Sequence, residues 1–191
     1  MPQAEGVRFL FGCETELDRN CTLAISKESF DEFDFIIIPT THFHMKGLVL
    51  DWNEVDTEGR AKAWLRRLES VLSMDLPFHK VGLAHLTCSL VGEDKPHSRE
   101  VIKSLPEDKL YELFKKAAEV GVGIELNYYD MGFEPADAET VLRIYRIAKE
   151  CGCKFYFGSD AHHPAGLENT KERYERIVDM LGLTEDDKFV L

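Results

Sequence analysis

The chain has 191 residues, a length typical of one domain with a sizeable core and too short for an ordinary eight-unit β/α barrel of about 250 residues. Lysine and arginine total 23 against 35 aspartate and glutamate, and this formal charge of −12 argues against a nucleic-acid partner. The sequence shows neither a secretory leader nor an apolar run long enough to cross a membrane, and its cysteines are odd in number, so we expect a cytoplasmic protein with reduced thiols.

The N-terminal part of the chain predicts two strands and a helix. After a polar lead over Met1 to Glu5, the apolar run Val7 to Phe11 predicts the first strand. Ala24 to Phe30 allows at most one or two helical turns before the β-branched and aromatic run Phe33 to Ile38, which predicts the second strand. Apolar residues spaced three, four and seven apart predict a helix over Glu58 to Met74.

The middle of the chain predicts two further strands around one helix. Lys80 to Ala84 predicts the third strand, and Thr87 to Lys103 is a polar stretch that we expect to be a long loop. Ser104-Leu105-Pro106-Glu107 is a capping-box pattern that opens a helix ending at Gly121. Val122 to Asn127 predicts the fourth strand.

The C-terminal part repeats this alternation. Asp137 begins a predicted helix that Gly152 closes, Lys154 to Gly158 predicts the fifth strand, and a last helix has its apolar positions between Tyr174 and Leu181. Five strands alternating with helices require right-handed parallel crossovers. The fold class is therefore predicted to be α/β, with about five parallel strands and flanking helices.

Polar side chains follow every predicted strand at the point where it ends. The carboxyl ends of parallel strands meet at one face of the sheet, so these side chains should lie close together. Carboxylate and neutral imidazole groups are ligands for zinc, manganese or iron. The candidates in chain order are Glu14, His42, His44, His85, Glu125, Asn127, Asp160 and His162.

Several of these residues have a second interpretation. Asp160 could cap the turn that follows it, and His162 could be an ordinary polar loop residue. His44 faces the same ion as His42 only if the strand continues through both, and otherwise it is solvated on the following loop. Lys46, just beyond, either pairs with a substrate phosphate or is simply solvated.

Taken in order, the strand ends resemble the polymerase and histidinol phosphatase (PHP) superfamily of metal-dependent phosphoesterases, a distorted seven-unit β/α barrel with a metal cluster at its strand C-termini. Gly12-Cys13-Glu14 resembles the Gly-x-Glu motif of that family, and His42 and His85 resemble its next two ligands. Glu125-Leu126-Asn127 resembles its Glu-x-Asn, and Gly158-Ser159-Asp160-Ala161-His162 resembles its most specific motif.

The chain departs from the family at its N-terminal side. Family members carry a His-x-His strand and two further histidine ligands upstream of the Gly-x-Glu, and this chain begins almost at Glu14. The resemblance therefore implies a partial barrel that lacks about two β/α units. It also implies that residues 1–191 form a single, N-terminally shortened domain. It also implies one metal position completed by Glu14, His42 and His85, and two depleted positions served by Asp160 and His162.

The resemblance implies hydrolysis of a small phosphate ester by metal-activated water. Asp160 and His162 would be catalytic, and Lys46, Glu125 and Asn127 would contact the substrate. A shortened domain that has lost catalysis and serves as a binding or assembly module is the alternative, and a natural start further upstream is a third. An opened barrel exposes strand edges and apolar helix faces, so we expect a homo-oligomer that covers the shortened N-terminal side.

Overall fold

The structure, a computed structural model, describes residues 5–191, so Met1 to Ala4 of the predicted polar lead lie outside the described residues. Most strands along this part of the chain are followed by a helix. The first two strands are joined instead by the 3-10 turn Lys27–Glu32, and two helices lie between the third and fourth strands. The strands are β1 (Gly12–Glu14), β2 (Phe35–Pro39), β3 (Val81–Ala84), β4 (Gly123–Asn127) and β5 (Lys154–Gly158). The helices are α1 (Thr57–Leu72), α2 (Lys95–Ser104), α3 (Glu107–Val120), α4 (Ala138–Glu150) and α5 (Thr170–Leu181).

The five strands form one parallel sheet in the order β1-β2-β3-β4-β5. Each strand pairs with its neighbours in the chain, as in the wall of a β/α barrel. Pro39 lies opposite Ala84 and Asn127 opposite Gly158, so the carboxyl ends of the strands meet at one edge. The predicted α/β class, with about five parallel strands of a partial barrel, is confirmed.

Helices pack against the outer face of this sheet and bury its core. Trp64 of α1, Phe114 of α3 and Tyr145 of α4 have no exposed surface, as their helical spacing predicted. Gly121 ends α3 in the left-handed region, with φ +77°. Within residues 5–191 every helix is too short or too polar to cross a membrane.

Aromatic side chains fill the inner face of the sheet. The rings of Phe35 in β2 and Tyr156 in β5 meet edge-to-face at 5.1 Å, although two strands lie between them. Gly82 of β3 leaves room for this contact, because a methyl group there would overlap the Tyr156 ring. Phe189 of the C-terminal segment packs on both rings and donates its N–H to the Phe155 carbonyl at 2.8 Å. The sheet is therefore curled like a barrel wall, and the C-terminal segment lies beside β5.

The predicted first strand, Val7 to Phe11, is wrong. The ladder with β2 begins only at Gly12, which lies opposite Phe35, and the apolar run precedes it. Val7 and Phe11 are more than half exposed, at 55% and 54%. The apolar composition of Val7 to Phe11 is typical of a strand, but β2 begins only at Phe35. The residues before Phe35 therefore do not extend the ladder back to Val7 to Phe11.

The predicted loop over Thr87 to Lys103 is also wrong, because it contains most of α2. The Asp94 carboxylate accepts a backbone N–H of the first turn of that helix, and Pro96 lies within the turn. Ser104 does not cap α3 as predicted. It ends α2, and its hydroxyl donates to the Val101 carbonyl.

Candidate metal centre

Three predicted ligands meet at the carboxyl edge of the sheet. Glu14 is the last residue of β1, His42 lies three residues beyond β2, and His85 directly follows β3. The parallel register brings these strand ends side by side. The position of the backbone that carries each ligand is thus determined by the pairing of the strands.

The donor atoms of Glu14, His42 and His85 all lie within 4.8 Å of one another. Glu14 Oε1 is 3.9 Å from His42 Nε2 and 3.7 Å from His85 Nε2, and the two imidazole rings stack at 5.2 Å. Ligand atoms on a tetrahedral zinc ion are about 3.3 Å apart. The two distances from Glu14 exceed this by about 0.6 and 0.4 Å, and small side-chain rotations would bring the donors together. One carboxylate with two imidazole nitrogens is a donor set that suits a divalent transition ion.

A carboxylate lies behind each histidine. Glu16 Oε2 is 2.9 Å from His42 Nδ1, and Glu125 Oε2 is 3.7 Å from His85 Nδ1. Glu125 also accepts the backbone N–H of His85 at 3.0 Å. A carboxylate that accepts the imidazole N–H orients a metal-binding histidine and raises its basicity, and Glu16 is close enough to His42 to do so.

Nearby charges and burial have opposite effects on the pKa of His85. Burial alone would lower the pKa of His85, but the contact with Glu14 and the charges of Glu125 and Asp130 outweigh it and raise the pKa to about 9. The same contact with His85 lowers the pKa of Glu14. Burial raises the pKa of Glu125, which is 3% exposed. A cation that binds below about pH 9 would therefore displace a proton from His85.

The loop after β5 forms the opposite wall of a cleft of about 350 Å³ that also contains Glu14, His85 and Glu125. Asp160 and His162 line this cleft but do not join the three-ligand group, and the His162 side chain is 88% exposed. His162 Nδ1 lies 2.9 Å from the carbonyl oxygen of Asp160. The structure thus brings both residues to the cleft without placing them at the centre.

The remaining predicted site residues lie around the cleft or away from it. Lys46 forms an ion pair with Glu93 at 2.8 Å and does not line the cleft. His44 is exposed, with its ring 5.5 Å from that of His42, and is outside the three-ligand group. Asn127 is buried beneath His85, with Nδ2 3.5 Å from His85 Nδ1.

Sequence reasoning missed two acidic residues near the centre. Glu16 follows Glu14 by two residues, and the period-two alternation of extended chain could have identified it. Asp130 is buried beyond Asn127, and burial raises its pKa to about 7. Its nearest polar partner, the Thr87 hydroxyl, also contacts the Tyr145 hydroxyl at 2.9 Å.

Among the described residues, the cleft lining includes three carboxylates and neither lysine nor arginine. These carboxylates disfavour an anionic ligand, and a bound cation would offset their charge. A larger cavity, of about 440 Å³, lies between β5, α5 and the C-terminal segment. Within residues 5–191, the lining of this cavity contains no histidine, so it does not offer a comparable donor set.

No protein-family model matches the chain, and no curated protein matches it either. Among solved structures, it is similar to a histidinol phosphate phosphatase from Lactococcus lactis subsp. lactis, crystallised with zinc, L-histidinol and phosphate. The TM-score is 0.54 at 14% identity, over 87% of this chain and 69% of the phosphatase. At this identity the likeness concerns the fold alone. The chain thus shares an α/β fold with that phosphatase, and its five-stranded parallel sheet with flanking helices matches a PHP-type barrel fragment.

Proposed function

We propose that this chain is a metal-dependent phosphoesterase that hydrolyses a small phosphate ester. The observation that carries the proposal is the convergence of Glu14, His42 and His85 at the carboxyl edge of a PHP-type sheet. In α/β proteins this edge is where catalytic groups are usually placed.

Glu14, His42 and His85 would hold the ion, which we expect to be zinc, manganese or iron. A bound divalent ion supplies a water of lowered pKa and positive charge for a phosphate oxygen. Asp160 and His162 would act from the opposite wall, His162 as the proton donor to the leaving group. Glu125 and Asn127, which we expect to contact the substrate, would also support His85, since both lie beside it.

The charge of the cleft supports this assignment. With Glu14, Glu125 and Asp160 in the lining, a phosphate ester would bind only against a compensating cation. The similar phosphatase was crystallised with zinc and phosphate together. A role for Lys46 in phosphate binding would require it to leave Glu93.

A second candidate function is a binding or assembly module with a residual metal site. It is favoured by the apolar residues beside the β1 edge, where Val7, Phe9, Leu10 and Phe11 are each at least 38% exposed. We propose that residues 5–191 belong to a single PHP-like domain whose homodimer covers this edge. Light scattering at micromolar concentration tests the dimer, and a stable monomer would contradict it.

Metal content and phosphatase activity, measured on the same preparation, test the main proposal. We expect bound metal in protein purified without additions, and hydrolysis of a generic phosphate ester with manganese. His85→Ala should lose most of the metal, because a three-ligand site reduced to two loses affinity and geometry. His79→Ala, which alters an exposed histidine at a distance from the cleft, is the control. Metal without activity would favour the binding module, and unchanged metal content in His85→Ala would refute the assignment.

A further inference from the structure

We propose that Glu16 is a positioning residue that holds His42 with its proton on Nδ1, so that the Nε2 lone pair faces Glu14 and a shared divalent cation. The inference rests on the metal centre proposed above and adds to it a residue that the sequence motifs do not contain. Glu16 does not itself belong to the three-ligand group.

The geometry around His42 determines which nitrogen carries the proton. A neutral imidazole has one donor and one acceptor nitrogen, and an ionised carboxylate only accepts. Glu16 Oε2 lies 2.9 Å from Nδ1, a hydrogen-bond distance, and Glu14 Oε1 lies 3.9 Å from Nε2, which is too far for one. The proton therefore belongs on Nδ1, and Nε2 is free to bind a metal.

His85 has no equally close partner. Its Nδ1 is 3.5 Å from Asn127 Nδ2 and 3.7 Å from Glu125 Oε2, both at or beyond the limit of a hydrogen bond. The backbone of His85 is held by the bond from its N–H to Glu125. Of the two histidines, His42 is thus the one with a carboxylate at a normal hydrogen-bond distance from Nδ1.

Glu16 is well placed to orient His42. Its carbonyl accepts the Ala24 N–H at 2.9 Å, so its backbone is anchored. The buried guanidinium of Arg67 donates to the Leu17 and Thr40 carbonyls, which ties the segment after β1 to the segment that leads to His42. The Glu16 side chain is only 27% exposed, so water competes weakly for its oxygens.

The first measurement needs no variant and no metal. Nitrogen-15 NMR of histidine-labelled protein distinguishes the two neutral tautomers, at about pH 8.5, about two units above the usual histidine pKa. We expect the metal-free wild-type protein to carry the His42 proton on Nδ1. A proton on Nε2 would overturn the proposal.

The second measurement is zinc affinity by competition with a chelating dye. Glu16→Met removes the acceptor at similar size and should weaken zinc binding about 10- to 100-fold, with the His42 proton moving toward Nε2. Glu16→Gln keeps an acceptor oxygen and should retain both the tautomer and most of the affinity. Glu54→Met is the matched control, since Glu54 is 22% exposed and paired with Arg66 away from the cleft.

These outcomes separate the two proposals. Wild-type zinc affinity in Glu16→Met would overturn the role of Glu16. A protonated Nδ1 in a wild-type protein that binds no zinc would instead refute the metal centre and leave the orientation of His42 by Glu16 supported.

Discussion

Replacing Arg67 by methionine should destabilise the protein by several kcal/mol. The Arg67 side chain has no exposed surface and forms no ion pair with a carboxylate among the described residues. It donates instead to four backbone carbonyls, those of Thr40 at 2.6 Å, Asp18 at 2.8 Å, Val49 at 3.0 Å and Leu17 at 2.7 Å.

Two opposing effects set the magnitude. Hydrogen bonds from a charged donor to buried acceptors contribute about 1.5–3 kcal/mol each, so the loss of four costs about 6–12 kcal/mol. Burial lowers the pKa of Arg67 to about 10. Methionine carries no charge, so its substitution recovers about 3 kcal/mol of that desolvation cost. We therefore expect the free energy of unfolding to fall by about 3–9 kcal/mol.

Guanidinium denaturation followed by tryptophan fluorescence measures this loss. Arg66→Met is the matched control, since Arg66 is adjacent, half-exposed and paired with Glu54, and should cost less than about 1 kcal/mol. If the two variants were equally stable, the four hydrogen bonds from Arg67 to backbone carbonyls would not contribute the predicted stability. Weaker zinc binding should accompany the Arg67→Met loss, because Arg67 joins the segments that carry Glu16 and His42.

Three further outcomes are expected. The pKa of His85 is raised to about 9, so the stability that its protonation contributes is complete below about pH 6.5 and is lost as the pH rises through 9. In denaturant titrations the free energy of unfolding of the metal-free protein should fall by on the order of 3 kcal/mol over that range. His85→Asn should remove this dependence of stability on pH. Gly158→Ala should cost about 1–3 kcal/mol in thermal unfolding, because a methyl group there overlaps the buried Glu125 carboxylate; an unchanged melting temperature would contradict that packing. Lys46→Ala should leave zinc affinity unchanged and alter the free energy of unfolding by less than about 1 kcal/mol, since the Lys46–Glu93 ion pair is partly solvated. A selective rise in KM for a phosphate ester would instead support contact between Lys46 and the substrate.

The sequence predicted the sheet because each buried strand carries its own signal. The predicted strand Lys80 to Ala84 agrees with β3 (Val81–Ala84) within one residue, and Gly121 was correctly predicted to end α3. Buried parallel strands are continuous apolar runs, and a left-handed helix end requires glycine or asparagine, so both features depend on local residues.

The errors arose where structure depends on distant partners. Val7 to Phe11 has the composition of a strand, but the β1 ladder is set by where β2 begins. Helix α2 has few apolar positions, and only Asp94 followed by Pro96 indicated its start. Glu16 was missed because its role depends on His42, 26 residues away in the chain.

His85 and Asp160 both have backbone conformations in the left-handed region, with φ +62° and +48°. Residues with side chains occupy that region at a cost of about 1 kcal/mol or more, and glycine or asparagine relieves it. At Asp160 that replacement would leave no core cavity, because the side chain is 40% exposed. A laboratory selection for heat resistance alone should therefore favour Asp160→Gly or Asp160→Asn. Variants enriched in this way would gain thermostability and lose the carboxylate that faces the metal centre.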